Sequence, residues 1–125
     1  MSLFYVHNET GNVYTHVAGF VIFVLLAALD GSGLPKTAEV ARTMFFVGVL
    51  AMAAGSSSYH LMRGMSKTAF DNVYACDLGS TVLMIATSYN WMLSLGFYCD
   101  PVVRANVESL DVLLSLTLIH KRRHV

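Results

Sequence analysis

The chain has 125 residues, of which 55% are hydrophobic and 13% are charged, and its formal net charge at pH 7 is zero. Ordinary soluble domains carry about 25% charged residues, so this composition favours a lipid environment. A balanced charge gives no support to a nucleic-acid-binding surface, and we expect no nucleic-acid partner.

Three long segments contain no Asp, Glu, Lys or Arg: Thr10–Leu29, Thr43–Met62 and Leu78–Cys99. A helix needs about 20 mainly apolar residues to cross the hydrocarbon core of a bilayer, and each segment is long enough. A soluble helical bundle is the alternative, but its helices should each keep a polar face, whereas residues 17–29 are apolar all round. The sequence therefore predicts an all-α, multi-pass membrane bundle with three full spans.

We predict one membrane domain over residues 1–125, with a polar lead at 1–12 and helices at about 13–29, 41–62, 73–98 and 102–120. Asp100 and Pro101 end the third helix and open the fourth, because proline suits the first turn of a helix. The fourth helix has a short uncharged stretch, Val112–Ile119, which predicts a partial span or an interfacial helix.

The basic residues predict the orientation of the chain in the membrane. With alternating crossings, one side carries three Lys or Arg residues and the other side carries five. The side richer in Lys and Arg is expected to be cytoplasmic, which places the N-terminus in the cytoplasm. The two sets are residues 36, 42 and 104, and residues 63, 67, 121, 122 and 123.

Ser56 and His60 are four residues apart on the second helix, so both side chains lie on one helix face. Asp77, at the start of the third helix, is expected near the same membrane boundary. A neutral imidazole can bind zinc, a carboxylate can hold or deprotonate a water on the metal, and a serine can stabilise charge. The alternative is that Asp77 and His60 are interfacial residues without a metal.

Glu9, Asn12 and His16 are spaced by three and four residues, so on a helix they would share a face. The plainer interpretation of this segment is a helix cap and an interfacial belt with Tyr14 as an aromatic anchor. A further pair, His120 and His124, has the spacing of metal ligands on successive turns. There the intervening basic residues 121–123 favour a cytoplasmic anchor instead.

In this order, the motifs resemble the progestin and adipoQ receptor family, which includes adiponectin receptors and bacterial hemolysin III proteins. That family opens with E-x2-N-x2-T-H, which here comprises Glu9, Asn12, Thr15 and His16. It continues with S-x3-H at Ser56 and His60, and with an aspartate at the place of Asp77. Residues 97–104 resemble the family's F-Y-C-x-P-x2-R junction between helices three and four.

The resemblance implies seven transmembrane helices and a zinc ion near the cytoplasmic side. It implies that His60 is a zinc ligand, that Asp77 and Ser56 hold the zinc-bound water, and that two histidines of helix seven complete the site. Only 43 residues separate Asp77 from His120, too few for three further crossings. We therefore expect a truncated N-terminal part of such a protein, with an incomplete zinc site.

The resemblance implies an integral membrane receptor with ceramidase-like, zinc-dependent lipid amide hydrolysis in the intact parent. The alternative is a non-catalytic membrane protein, either a signalling receptor with a structural zinc or an inert truncated product. The expected partners are membrane lipids and a lipid or protein ligand. Association with other membrane chains is also expected, because another chain would have to supply the remaining zinc ligands.

Overall fold

The structure, a computed structural model, describes residues 8–31 and 33–122. These residues form four α-helices, which confirms the predicted all-α class. The helix α2 packs against both α1 and α3, while α4 packs against α3 alone among the described elements. The bounds are α1 (Thr10–Leu29), α2 (Lys36–Met62), α3 (Lys67–Gly96) and α4 (Pro101–Arg122).

Three helices begin earlier than the predicted starts at 13, 41 and 73. Those starts followed the apolar runs, but the helical backbone also includes polar or charged residues before them. In α2 the helix begins directly after Pro35, and Glu39 in its first turn suits the positive end of the helix dipole. In α3 the hydroxyl of Ser66 accepts a hydrogen bond from the backbone N–H of Ala69.

This earlier start changes how far Asp77 lies from the beginning of α3. The residue lies ten positions after Lys67, the first residue of α3. At 1.5 Å per residue it is about 15 Å along the helix, rather than about one turn from its start. The expectation that Asp77 lies at the start of the third helix, about one turn in, is therefore wrong.

Two of the described helices are long and apolar enough to cross a membrane, namely α1 over Thr10–Leu29 and α2 over Ala38–Met62. Val13 is the one buried residue of α1, and apolar side chains such as Ile22 and Leu25 are exposed, as expected of a lipid-facing helix. The third predicted span falls in α3, whose apolar run is interrupted by polar residues, and its crossing stays a prediction. These residues are Ser80, Thr81, Thr87, Ser88 and Asn90.

Small residues bring α2 and α3 into close contact. A Cβ atom added at Gly48 would lie 3.1 Å from the Cα of Met84, and one added at Gly55 would lie 3.4 Å from the Cα of Asp77. Small residues at helix interfaces allow this approach of two backbones in a membrane protein. The contact at Gly55 sets Asp77 level with the turn of α2 that carries Ser56.

The other helix ends are held by polar contacts. Arg42 donates a hydrogen bond to the carboxylate of Asp30 at 2.6 Å, which joins the end of α1 to the beginning of α2. At the start of α4, the carboxylate of Asp100 accepts a hydrogen bond from the backbone N–H of Val103 at 3.1 Å. Asp100 and Pro101 thus open the fourth helix, as the sequence predicts.

Candidate functional site

A cluster of polar side chains joins the start of α1 to the end of α2, and Glu9 lies at its centre. The Nδ2 of Asn12 donates a hydrogen bond to Oε2 of Glu9 at 2.9 Å. Nδ1 of His60 lies 2.8 Å from the same oxygen, and the guanidinium of Arg63 pairs with Oε1. Glu9 is 6% exposed, so three donors surround a buried carboxylate.

These contacts keep Glu9 ionised. The hydrogen bond from Asn12 is the main cause of a lowered pKa for the Glu9 carboxyl group, and burial opposes it by disfavouring the charge. The hydrogen bond and charge of His60 and the positive charge of Arg63 lower the pKa further. Although Glu9 is the residue before α1, its side chain makes no capping bond to that helix. Its carboxylate is instead directed to α2.

The second contact between α1 and α2 joins His16 to Ser56. Nε2 of His16 lies 3.1 Å from Oγ of Ser56, and Ser56 is buried, with 6% of its surface exposed. Glu9 and His16 lie seven residues apart, about two helical turns, and Ser56 and His60 lie one turn apart. The face that carries Glu9, Asn12 and His16 therefore packs on the face that carries Ser56 and His60.

Aromatic contacts restrict the ring of His60. It stacks on the ring of His16, with centroids 6.0 Å apart and planes 10° apart, and the ring of Tyr59 meets it edge-on at 5.1 Å. Tyr59 also contacts the rings of Phe70 and Tyr74 at the start of α3. The imidazole of His60 thus lies between α1 and an aromatic cluster that links α2 to α3.

Among the described residues, the side chains of Asp77 and Thr15 take no part in the contacts around Glu9, Ser56 and His60. Within residues 8–31 and 33–122, no hydrogen bond or ion pair joins the carboxylate of Asp77 to Ser56 or His60, although its Cα lies level with Gly55. The hydroxyl of Thr15 donates to the backbone carbonyl of Gly11 in its own helix. Thr15 therefore forms no described link to α2.

The described donor set provides one clear position for a zinc ligand. His60 fits one ligand position, because Nδ1 faces Glu9 and no hydrogen bond to Nε2 is present among the described residues. Within the described part of the chain, no group of three or more His, Cys, Asp or Glu side chains lies close enough to hold a metal ion. His124 lies outside the described residues, and so does the side chain of His120.

The comparison with known proteins identifies the family. The sequence profile described as Haemolysin-III related matches residues 4–120. The chain belongs to the haemolysin-III-related family. This membership, together with relatives named as adiponectin and progestin receptors, confirms the resemblance drawn from the motifs. The chain is a membrane protein that is similar to those receptors.

Three relatives indicate how much of a family member the chain represents. The adiponectin receptor protein of Drosophila melanogaster is 27% identical over 124 residues, which cover 94% of this chain and 28% of that protein. Heptahelical transmembrane protein 1 of Arabidopsis thaliana is 32% identical, with 94% and 40% covered. Human progestin and adipoQ receptor family member 4 is 44% identical over 63 residues, with 48% and 22% covered. The chain thus spans well under half the length of these relatives.

Arg63 is the member of the cluster that sequence reasoning missed. In the sequence it is one of the basic residues in the linker after the predicted second helix. A signal was present, because Ser56, His60 and Arg63 follow one another at intervals of four and three residues. That spacing places all three on one face of α2, where Arg63 meets the charge of Glu9.

Proposed function

We propose that this chain contributes the α1–α3 part of a zinc-dependent, ceramidase-like site that hydrolyses lipid amides in a receptor-like membrane protein. The observation that carries the proposal is the pairing of Ser56 with His16 and of His60 with Glu9, in a chain that is 55% hydrophobic. Ser56 is buried, and the side chain of His60 is 17% exposed. His60 lies in the segment of α2 that is apolar enough to cross a membrane, and an ionisable group in such a segment is costly, so a functional role is the default hypothesis.

Each of the three residues has a distinct role in this proposal. Nε2 of His60 would bind zinc, which as a Lewis acid polarises a carbonyl and lowers the pKa of water. The carboxylate of Asp77 would take up the proton of the attacking water. The hydroxyl of Ser56 would donate a hydrogen bond to the oxygen that becomes negative on the amide carbon. Further zinc ligands would come from residues outside the described set or from another membrane chain.

The names of the relatives favour a second candidate. The Drosophila melanogaster and Saccharomyces cerevisiae proteins are named as receptors. In that case the chain would bind a lipid or protein ligand, and zinc at His60 would stabilise the helix arrangement without any hydrolysis. In both candidates the N-terminus and the Glu9 cluster would lie on the cytoplasmic side.

The first experiment measures zinc in the purified chain, kept in mild detergent, with and without His60→Ala. A zinc content that falls on His60→Ala supports the site, and a content that is unchanged contradicts it. The same measurement on His120→Ala and His124→Ala tests whether that pair supplies ligands. Zinc loss in either variant would support the predicted pair.

The second experiment separates the enzyme from the receptor. Ceramide is added as the lipid amide, and hydrolysis is compared between the unchanged chain, Asp77→Asn and Asp71→Asn. Asp71 is an exposed acid of the same helix, so its substitution controls for the loss of a charge. Loss of hydrolysis in Asp77→Asn alone supports the proposed catalytic role. Hydrolysis that persists in Asp77→Asn excludes it. Zinc bound by three or more protein ligands without hydrolysis of ceramide favours the receptor.

A further inference from the structure

The side chain of Glu9 makes contacts that its place in the sequence does not predict. It lies just before α1, yet its carboxylate reaches the last turn of α2, where it meets both His60 and Arg63. Burying a carboxylate is unfavourable unless it is paired and hydrogen-bonded. Asn12, His60 and Arg63 together provide that pairing. The arrangement therefore joins the ends of two helices through one buried anion.

The contact at His60 has a specific chemical consequence. An ionised carboxylate can only accept hydrogen bonds, so Nδ1 of His60 must be the donor across the 2.8 Å contact. A neutral imidazole carries one proton, and the hydrogen bond made by one ring nitrogen decides where that proton lies. With the proton on Nδ1, the lone pair of Nε2 is available to a ligand.

We propose that Glu9 is a positioning residue, which fixes the tautomer and the orientation of His60 so that Nε2 is presented for zinc. Histidines that bind metals commonly donate their other ring N–H to a carboxylate, and this partner tunes the strength of the metal site. The inference rests on the proposed zinc function for the role of Nε2. The tautomer itself can be tested without any metal.

The contacts also distinguish this role from direct metal binding by Glu9. A carboxylate has about four lone-pair positions, and Asn12, His60 and Arg63 already occupy three of them. The ring stack on His16 and the edge contact from Tyr59 add a second restraint on the imidazole of His60. These two contacts hold the plane of the ring, and Glu9 therefore sets which ring nitrogen faces the carboxylate.

Two variants separate positioning from a simple need for negative charge. Glu9→Asp keeps the charge but shortens the side chain by one methylene, so the carboxylate no longer reaches Nδ1 of His60. The double variant Glu9→Gln with Arg63→Met removes both charges and keeps a carbonyl oxygen at full reach. Without Arg63, that oxygen is expected to face the donors of Asn12 and His60.

The first readout is the tautomer of His60 in the metal-free chain, measured by nitrogen NMR on histidine-labelled protein. The chain has five histidines, and His60→Ala assigns the signal. We expect a protonated Nδ1 in the unchanged chain and in the double variant, and a mixture of tautomers in Glu9→Asp. Glu39→Asp, the same change at an exposed glutamate, should alter nothing. The inference is overturned if Glu9→Asp keeps the Nδ1 tautomer or the double variant loses it.

The second readout is binding of Zn²⁺ alone, followed by competition with a chelator of known affinity. Glu9→Asp should weaken the zinc binding that depends on His60 by about 10- to 100-fold, and Glu39→Asp should leave it unchanged. A tautomer change without weaker zinc binding would refute the role toward zinc. If the unchanged chain shows no zinc binding that depends on His60, the proposed function fails, while the tautomer result still decides whether Glu9 orients the ring.

Discussion

The contact between α2 and α3 at Gly48 makes a quantitative prediction. In Gly48→Ala, the new Cβ would lie 3.1 Å from the Cα of Met84 and 3.2 Å from the Cβ of Thr87. Rotation of Thr87 can move its hydroxyl, but not its Cβ or the backbone of Met84. The two helices must therefore separate by several tenths of an ångström. Such overpacking costs about 1–3 kcal/mol.

Gly79→Ala provides the matched control, because a Cβ at Gly79 meets nothing within 4 Å. Both substitutions gain the higher helix propensity of alanine, about 1 kcal/mol, so the difference between them isolates the steric cost. We expect Gly48→Ala to be about 1–3 kcal/mol less stable than Gly79→Ala. Unfolding by SDS in mixed micelles, followed by the fluorescence of Trp91, measures this difference. Equal stability of the two variants would refute the close approach at Gly48.

Gly55→Ala tests the same interface beside the candidate site. There the nearest atom is Oγ of Ser80 at 2.6 Å, while the Cα of Asp77 is at an ordinary 3.4 Å. A hydroxyl can turn away at a cost below that of moving a backbone. The free energy of unfolding of Gly55→Ala should therefore fall between those of Gly48→Ala and Gly79→Ala in the same assay. A loss larger than that of Gly48→Ala would contradict this ranking.

Three further predictions use the same unfolding assay. His16→Ala leaves the buried hydroxyl of Ser56 without its partner and should destabilise the chain by about 1–3 kcal/mol. When Ser56→Ala is already present, the same substitution should cost less than about 1 kcal/mol. Additive losses would exclude a coupling between the two residues. Arg42→Met should lower the free energy of unfolding by about 1 kcal/mol at low salt, and by much less when Asp30→Asn is already present. An equal loss with and without Asp30→Asn would rule out the ion pair of Arg42 and Asp30 as the cause. Ser66→Ala removes the cap of α3 and should cost about 0.5–1 kcal/mol, whereas no loss would show that the long contact to Ala69 contributes nothing.

The candidate site shows where sequence reasoning succeeds and where it stops. The spacing of Ser56 and His60 places them on one face of α2 because the period of a helix is known in advance. Spacing likewise groups Glu9, Asn12 and His16 on one face of α1. It cannot say which helix faces which, so the role of the E-x2-N-x2-T-H motif stayed unassigned. The contact with α2 gives Glu9 and His16 different partners.

The same limit explains the error in the position of Asp77 along α3. Apolar runs mark the part of a helix that can lie in lipid, but hydrogen bonding extends the helix beyond that part. The cap at Ser66 and the ring contacts of Phe70 with Tyr59 extend α3 to Lys67. Asp77 therefore lies ten residues after the first residue of α3, and its Cα packs beside Gly55.

By itself the sequence determined the helical class, the apolar segments that suit a membrane, the family and the order of its motifs. The helical class and the apolar segments follow from local composition and periodicity, and the family follows from the identity and order of the motifs. None of these depends on contacts between distant residues. The tertiary structure decided the pairing of α1 with α2, the ionic contact of Glu9 with Arg63 and the side of His60 that faces a carboxylate. Residues 9 and 60 are 51 positions apart, and only the packing of two helices brings their side chains within hydrogen-bonding distance.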